Sequence, residues 1–136
     1  MRRGLAASVI VIVAVLAGTA GCAGDERAGS GRPVATFQVV DETFRIELVT
    51  PELIDHAQRL FDGEEIAAIP VGKIVRPDPE VNTGWHWHID PTTLEFADVT
   101  TEVCDGLPSF VEDETLTSDT YCPWSAKIVA MDYPEG

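Results

Sequence analysis

The sequence predicts an α+β domain: an antiparallel or mixed sheet of about five to six strands, one main helix packed on it, and one disulfide. Three observations lead there. β-Branched, alternating segments recur along most of the chain, whereas an amphipathic helical stripe occurs once, at Leu53–Phe61. Few helices fall between strands, which argues against a doubly wound parallel sheet. Two cysteines, Cys104 and Cys122, lie late in the chain with 17 residues between them.

The 136 residues divide unevenly. Met1-Arg2-Arg3 is a positive start, and Leu5 to Gly21 follows without a charged residue. Thr19-Ala20-Gly21-Cys22 then resembles a bacterial lipobox, in which cleavage precedes a cysteine that becomes lipid-modified; Thr19 stands where that motif usually has leucine. Residues 1–21 are thus expected to be a signal peptide. Residues 22–33 are read as lipidated Cys22 plus a flexible Gly-, Ala- and Arg-containing tether, and 34–136 as a single domain. An uncharged run of this length is also at the short limit for an uncleaved transmembrane anchor. Cleavage elsewhere would instead give a secreted protein. All three readings put the domain outside the cytoplasm, and the first places it on a bacterial cell envelope. With Cys22 lipidated, Cys104 and Cys122 remain as a pair, and an exported pair is expected to form a disulfide.

The elements follow in order. Val34 to Val40 and the strictly alternating Thr43 to Val49 have the pattern of a hairpin around Asp41-Glu42, with Phe44, Ile46 and Leu48 inward. Thr50-Pro51-Glu52 is a helix start, with a capping hydroxyl, proline in the first turn and an acid near the positive end. Leu53, Ile54, Ala57, Leu60 and Phe61 form one face, and Gly63 is placed to end the helix. Ile66 to Val75 is apolar but contains Pro70, so it is expected to be an edge strand or one beginning after the proline. Arg76 to Gly84 is a loop. Trp85 to Asp90 reads as a strand with Trp85, Trp87 and Ile89 on one face and His86, His88 and Asp90 on the other. Leu94 to Cys104 is a further strand, with a bulge between Phe96 and Val99. A short helix within Asp105–Glu114, an acidic solvated loop through Asp119, and a last strand from Ser125 to Met131 complete the chain.

Several spaced motifs carry a resemblance. They are Thr50-Pro51 with Ile54 and Ala57, Val71-Gly72-Lys73-Ile74-Val75, and Trp85 with His88-Ile89-Asp90-Pro91. Further on come Glu102-Val103-Cys104-Asp105, Phe110-Val111-Glu112 and Cys122-Pro123-Trp124-Ser125. Together they resemble a family of exported bacterial domains that also forms the N-terminal part of a slime-mould protein described as calmodulin-binding. The resemblance implies no established activity. Calmodulin targets are basic amphipathic helices, whereas Leu53–Phe61 is bordered by Glu52, Asp55 and Asp62 against a single Arg59. His88 and Asp90 fit the family motif and His86 departs from it, which favours a structural duty for His88-Ile89-Asp90-Pro91.

Charge narrows the function. The formal net charge is −14, and without Arg2 and Arg3 seven basic residues face 23 acidic ones. No basic patch remains to neutralise phosphates, so nucleic acid is not an expected partner. An acidic surface also opposes lying on anionic lipid. No nucleophile elbow or phosphate-cradling glycine loop is present. Two function classes stay open. One is a lipid-tethered binding or interaction module for a protein or small molecule, with no cofactor and with Trp85, Trp87 and Trp124 as structural or surface motifs. The other is a zinc-binding protein or metal-dependent enzyme using His86, His88 and Asp90, since histidines at i and i+2 of a strand share a face.

Overall fold

The computed structural model describes residues 31–135. The signal peptide and Cys22 lie outside the described residues. The strands divide into two antiparallel sheets. In the first, β1 (Val34–Val39) lies between β2 (Glu42–Glu47) and β7 (Lys127–Asp132). In the second, β3 (Ile69–Val75) carries every ladder: β5 (Glu95–Ala97) along Ile69–Val71, β6 (Thr120–Tyr121) along Gly72–Lys73, and β4 (His88–Ile89) along Ile74–Val75. Helix α1 (Pro51–Phe61) packs beside β7, and a short α2 (Pro108–Glu112) sits against β2. The α+β class, the antiparallel pairing, the one main helix and the Cys104–Cys122 bond all match the sequence reading.

Helix α1 begins as the sequence dictates. Thr50 Oγ1 accepts the Leu53 amide at 3.2 Å, and Pro51 occupies the first turn, where its missing N–H costs nothing. Ala57 is fully buried, with Leu53 and Ile54 packed against the core. Phe61, expected on the apolar face, is 45% exposed because the helix ends there and its last turn passes the sheet margin.

Three expectations about strands need correction. Strand β3 starts before Pro70 and is central to its sheet, not an edge. Backbone groups alternate between flanks along a strand. Lys73 turns its carbonyl to the Asp90 amide and its own amide to Thr93 Oγ1, whereas the Ile74 amide donates to Asp119 on the other side. By that alternation Pro70 faces the flank of β6, which begins only at Gly72, so no ladder bond is lost. Of Trp85–Asp90, only His88–Ile89 is strand, because β3 ends at Val75, the partner of His88. The in–out alternation nevertheless persists: Trp87 and Ile89 are buried, and His86 is exposed. The segment Leu94–Cys104 is strand only at Glu95–Ala97. Its ladder stops at Ile69, the first residue of β3, and the chain turns away into the 3-10 turn Glu102–Cys104. Val99 and Val103, expected to face inward, are 83% and 72% exposed.

The core is aromatic. Phe44 meets Phe37, Trp87 and Tyr121 with ring centroids 5.5, 5.9 and 5.2 Å apart, and Trp87 meets Tyr121 at 5.5 Å. Side chains of both sheets therefore share one cluster. Gly72 is fixed by this packing: a Cβ there would lie 2.3 Å from Ile89 Cγ2, so only glycine lets β3 approach β4 so closely. The disulfide ties Cys104 to Cys122 with Cα atoms 5.0 Å apart, and the Cys122 amide donates to the Cys104 carbonyl at 2.7 Å. Closing a loop of this length stabilises by about 3 kcal/mol on the loop-entropy account.

Candidate functional site

The segment Trp85–Pro91 enters from a loop that β2 holds in place. Asn82 is fully buried. Its Oδ1 accepts the Arg45 amide at 2.8 Å, and its Nδ2 donates to the Trp87 carbonyl at 2.9 Å. Its own amide donates to Asp78 Oδ1 at 2.9 Å. One side chain thus satisfies β2 and the centre of the motif together, as a buried amide must. The sequence reading places Asn82 in a loop and gives it no further duty. The signal that could have found it is an amide four residues after an aspartate in a Pro-rich segment, which is a local hydrogen-bonding pattern.

Each polar side chain of the motif is committed to a separate partner. His86 is 88% exposed at its side chain. Glu112 of α2 reaches it twice, accepting the His86 amide at 2.9 Å and facing Nδ1 at 2.5 Å. Hydrogen bonding from the His86 side chain, then from its backbone, holds the Glu112 carboxyl below the usual carboxylate range. Glu112 belongs to the run expected to be a solvated acidic loop, and this contact is not visible in the sequence. His88 Nδ1 donates to the Pro77 carbonyl at 2.9 Å. Its ring borders a small recess of about 50 Å³ with Arg45, Glu47, Val81 and two prolines, Pro79 and Pro91.

Asp90 caps the 3-10 turn Pro91–Thr93, its Oδ1 accepting the Thr92 amide at 3.0 Å and the Thr92 hydroxyl at 2.7 Å. Those bonds from Thr92, side chain first, lower the Asp90 carboxyl pKa. Thr93 Oγ1 donates to the Asp90 carbonyl at 2.7 Å and accepts the Lys73 amide at 2.9 Å. A threonine hydroxyl thereby replaces a ladder carbonyl where the turn interrupts pairing between β4 and β5. His86, His88 and Asp90 are drawn to three different places, and no group of three or more His, Cys, Asp or Glu side chains is arranged to hold a metal among the described residues.

The tryptophans separate likewise. Trp87 is wholly buried, and its Nε1 has no hydrogen-bond partner. Trp85 is half-buried beside it and donates from Nε1 to the Thr43 carbonyl at 2.9 Å. Trp124 is exposed and follows the buried Cys122-Pro123, its amide donating to Asp105 Oδ1 at 2.8 Å. The histidine outside the motif is also structural: His56 Nε2 lies 2.6 Å from the Ala67 carbonyl, and its ring stacks on Phe96 at 4.5 Å. Tyr121 donates its hydroxyl to the Gly106 carbonyl at 2.9 Å, and burial pushes that hydroxyl's pKa well up. The Ser109 hydroxyl donates to Glu42, whose other carboxylate oxygen accepts the Ser109 amide, both at 2.8 Å, fastening the start of α2 to the β1–β2 hairpin.

Two small sheets sharing an aromatic core, a disulfide at one end, and polar side chains given over to fastening loops define a small disulfide-bonded α+β domain. Residues 33–135 match the family defined by the N-terminal domain of a calmodulin-binding protein, the one its spaced motifs resemble, and the chain belongs to that family. No curated protein and no solved structure matches the chain.

Proposed function

We propose that the protein is a lipid-anchored lipoprotein of the bacterial cell envelope that presents this acidic domain outside the cytoplasm as a binding module. The observation that carries the proposal is the bond between Cys104 and Cys122. A structural disulfide forms and persists in an oxidising compartment. It also leaves Cys22 as the one other cysteine of the chain, at the junction Gly21-Cys22 behind an uncharged apolar run. Export and acylation account for all three cysteines. A binding role fits the polar groups of the central motif, which hold Asn82, Glu112, Pro77 and Thr92 rather than converging on one point.

Cell fractionation tests the proposal. The full chain is expected in the detergent-extracted envelope fraction, and Cys22→Ser is expected to release it or leave it unprocessed. Recovery of the wild-type chain in the cytoplasm with Cys104 and Cys122 as free thiols would refute it.

A further inference from the structure

We propose that the cleft between Val99 and Trp124 binds a short peptide segment carrying an apolar side chain flanked by lysine or arginine. The inference rests on the binding-module reading and gives it a partner chemistry. The cleft, of about 180 Å³, is lined by Ile69, Asp98, Val99, Thr100 and Trp124. That is below the range of sites for drug-sized ligands and suits a single side chain. Val99 is the most exposed of the large apolar residues at 83%, and Trp124 is 44% exposed. Neither is left outside for want of order. The Trp124 amide is held by Asp105, and Pro123 and Cys122 beneath it are buried on the disulfide. An indole offered from a fixed backbone is the kind of residue that dominates interfaces, because little conformational freedom is lost on binding.

Charge selects the occupant. Asp98 is the charged residue of the lining, and Glu102 and Asp105 are exposed on the neighbouring turn. Residues 31–135 carry six basic and 21 acidic side chains. A cationic segment is drawn to such a surface, whereas a second copy of the chain is repelled. Anionic lipid headgroups are repelled for the same reason.

The test uses the mature full chain and three synthetic pentapeptides at about 0.15 M salt, where screening limits nonspecific attraction. Lys-Leu-Lys-Leu-Lys is expected to bind by calorimetry. Lys-Gly-Lys-Gly-Lys, of equal charge, and Glu-Leu-Glu-Leu-Glu are expected to bind at least about tenfold more weakly. Trp124→Ala and Val99→Asp are expected to weaken the first peptide by about tenfold or more, and Trp124→Phe to keep most of the affinity. Unchanged far-ultraviolet circular dichroism checks the fold of each variant. Equal binding of the glycine peptide, undiminished binding by Trp124→Ala, or no binding would overturn the proposal. So would Trp124-dependent sedimentation with phosphatidylglycerol vesicles, or a dimer lost on Trp124→Ala. Fractionation of Cys22→Ser does not depend on Trp124, so the anchoring reading stands or falls separately.

Discussion

Truncating Trp87 removes the side chain on which both sheets meet. The indole is fully buried and packs on Phe44, Tyr121 and Trp85, with ring centroids 5.9, 5.5 and 6.2 Å away. Trp87→Ala is therefore expected to cost about 3–5 kcal/mol, the range for a large aromatic lost from a core. That is a large part of the total stability of a domain this size, about 5–15 kcal/mol. No hydrogen bond is lost, because Nε1 has no partner. Trp87→Phe should accordingly cost only the volume of the missing ring, about 2 kcal/mol. Trp85→Phe gives the contrast. It is half-buried, and it forfeits the bond from Nε1 to the Thr43 carbonyl, a loss of about 1 kcal/mol on top of reduced packing. Urea unfolding followed by circular dichroism, with the disulfide intact, measures all three. A Trp87→Ala midpoint corresponding to less than about 1 kcal/mol would refute the account of this indole as the joint between sheets.

Two other predictions test the frame around it. Gly72→Ala places a methyl 2.3 Å from Ile89 Cγ2 between β3 and β4, and it should lower stability by about 1–3 kcal/mol in the same urea assay. The Glu112 carboxyl pKa is lowered by His86, so its stabilising contribution is present above the ordinary glutamate value of 4.5 and is lost as pH falls through the lower folded value. Glu112→Gln should consequently lower the melting temperature at pH 7 and shrink the difference from wild type in strong acid, and a difference that grows on acidification would contradict this.

How far the sequence spoke depends on whether its signals were local. Helix α1 was legible because Thr50-Pro51, the apolar stripe and Gly63 are all local signals, and the α1 cap is bonded as they imply. The β1–β2 hairpin was legible because its alternation is strict, and the disulfide because two exported cysteines have few choices. The burial of Trp87 followed from alternation even though the strand itself did not extend that far. Partners distant in sequence were not legible. Glu112 lies 26 residues from His86, and Asn82 lies 37 from Arg45; nothing local marks either contact. The i, i+2 histidines share a face on paper, but α2 draws His86 one way while the Pro77 carbonyl holds His88 another. Val99 and Val103 looked inward by composition, yet where a strand ends is set by the length of its partner, here β3.

The central claim is that this domain works outside the cytoplasm on a lipid anchor, and mass spectrometry of the N-terminal peptide of protein extracted from the envelope tests it most directly. The account predicts a mature chain beginning at Cys22 with a diacylglyceryl group on its sulfur. An unmodified N-terminus at any residue beyond Cys22 would contradict it.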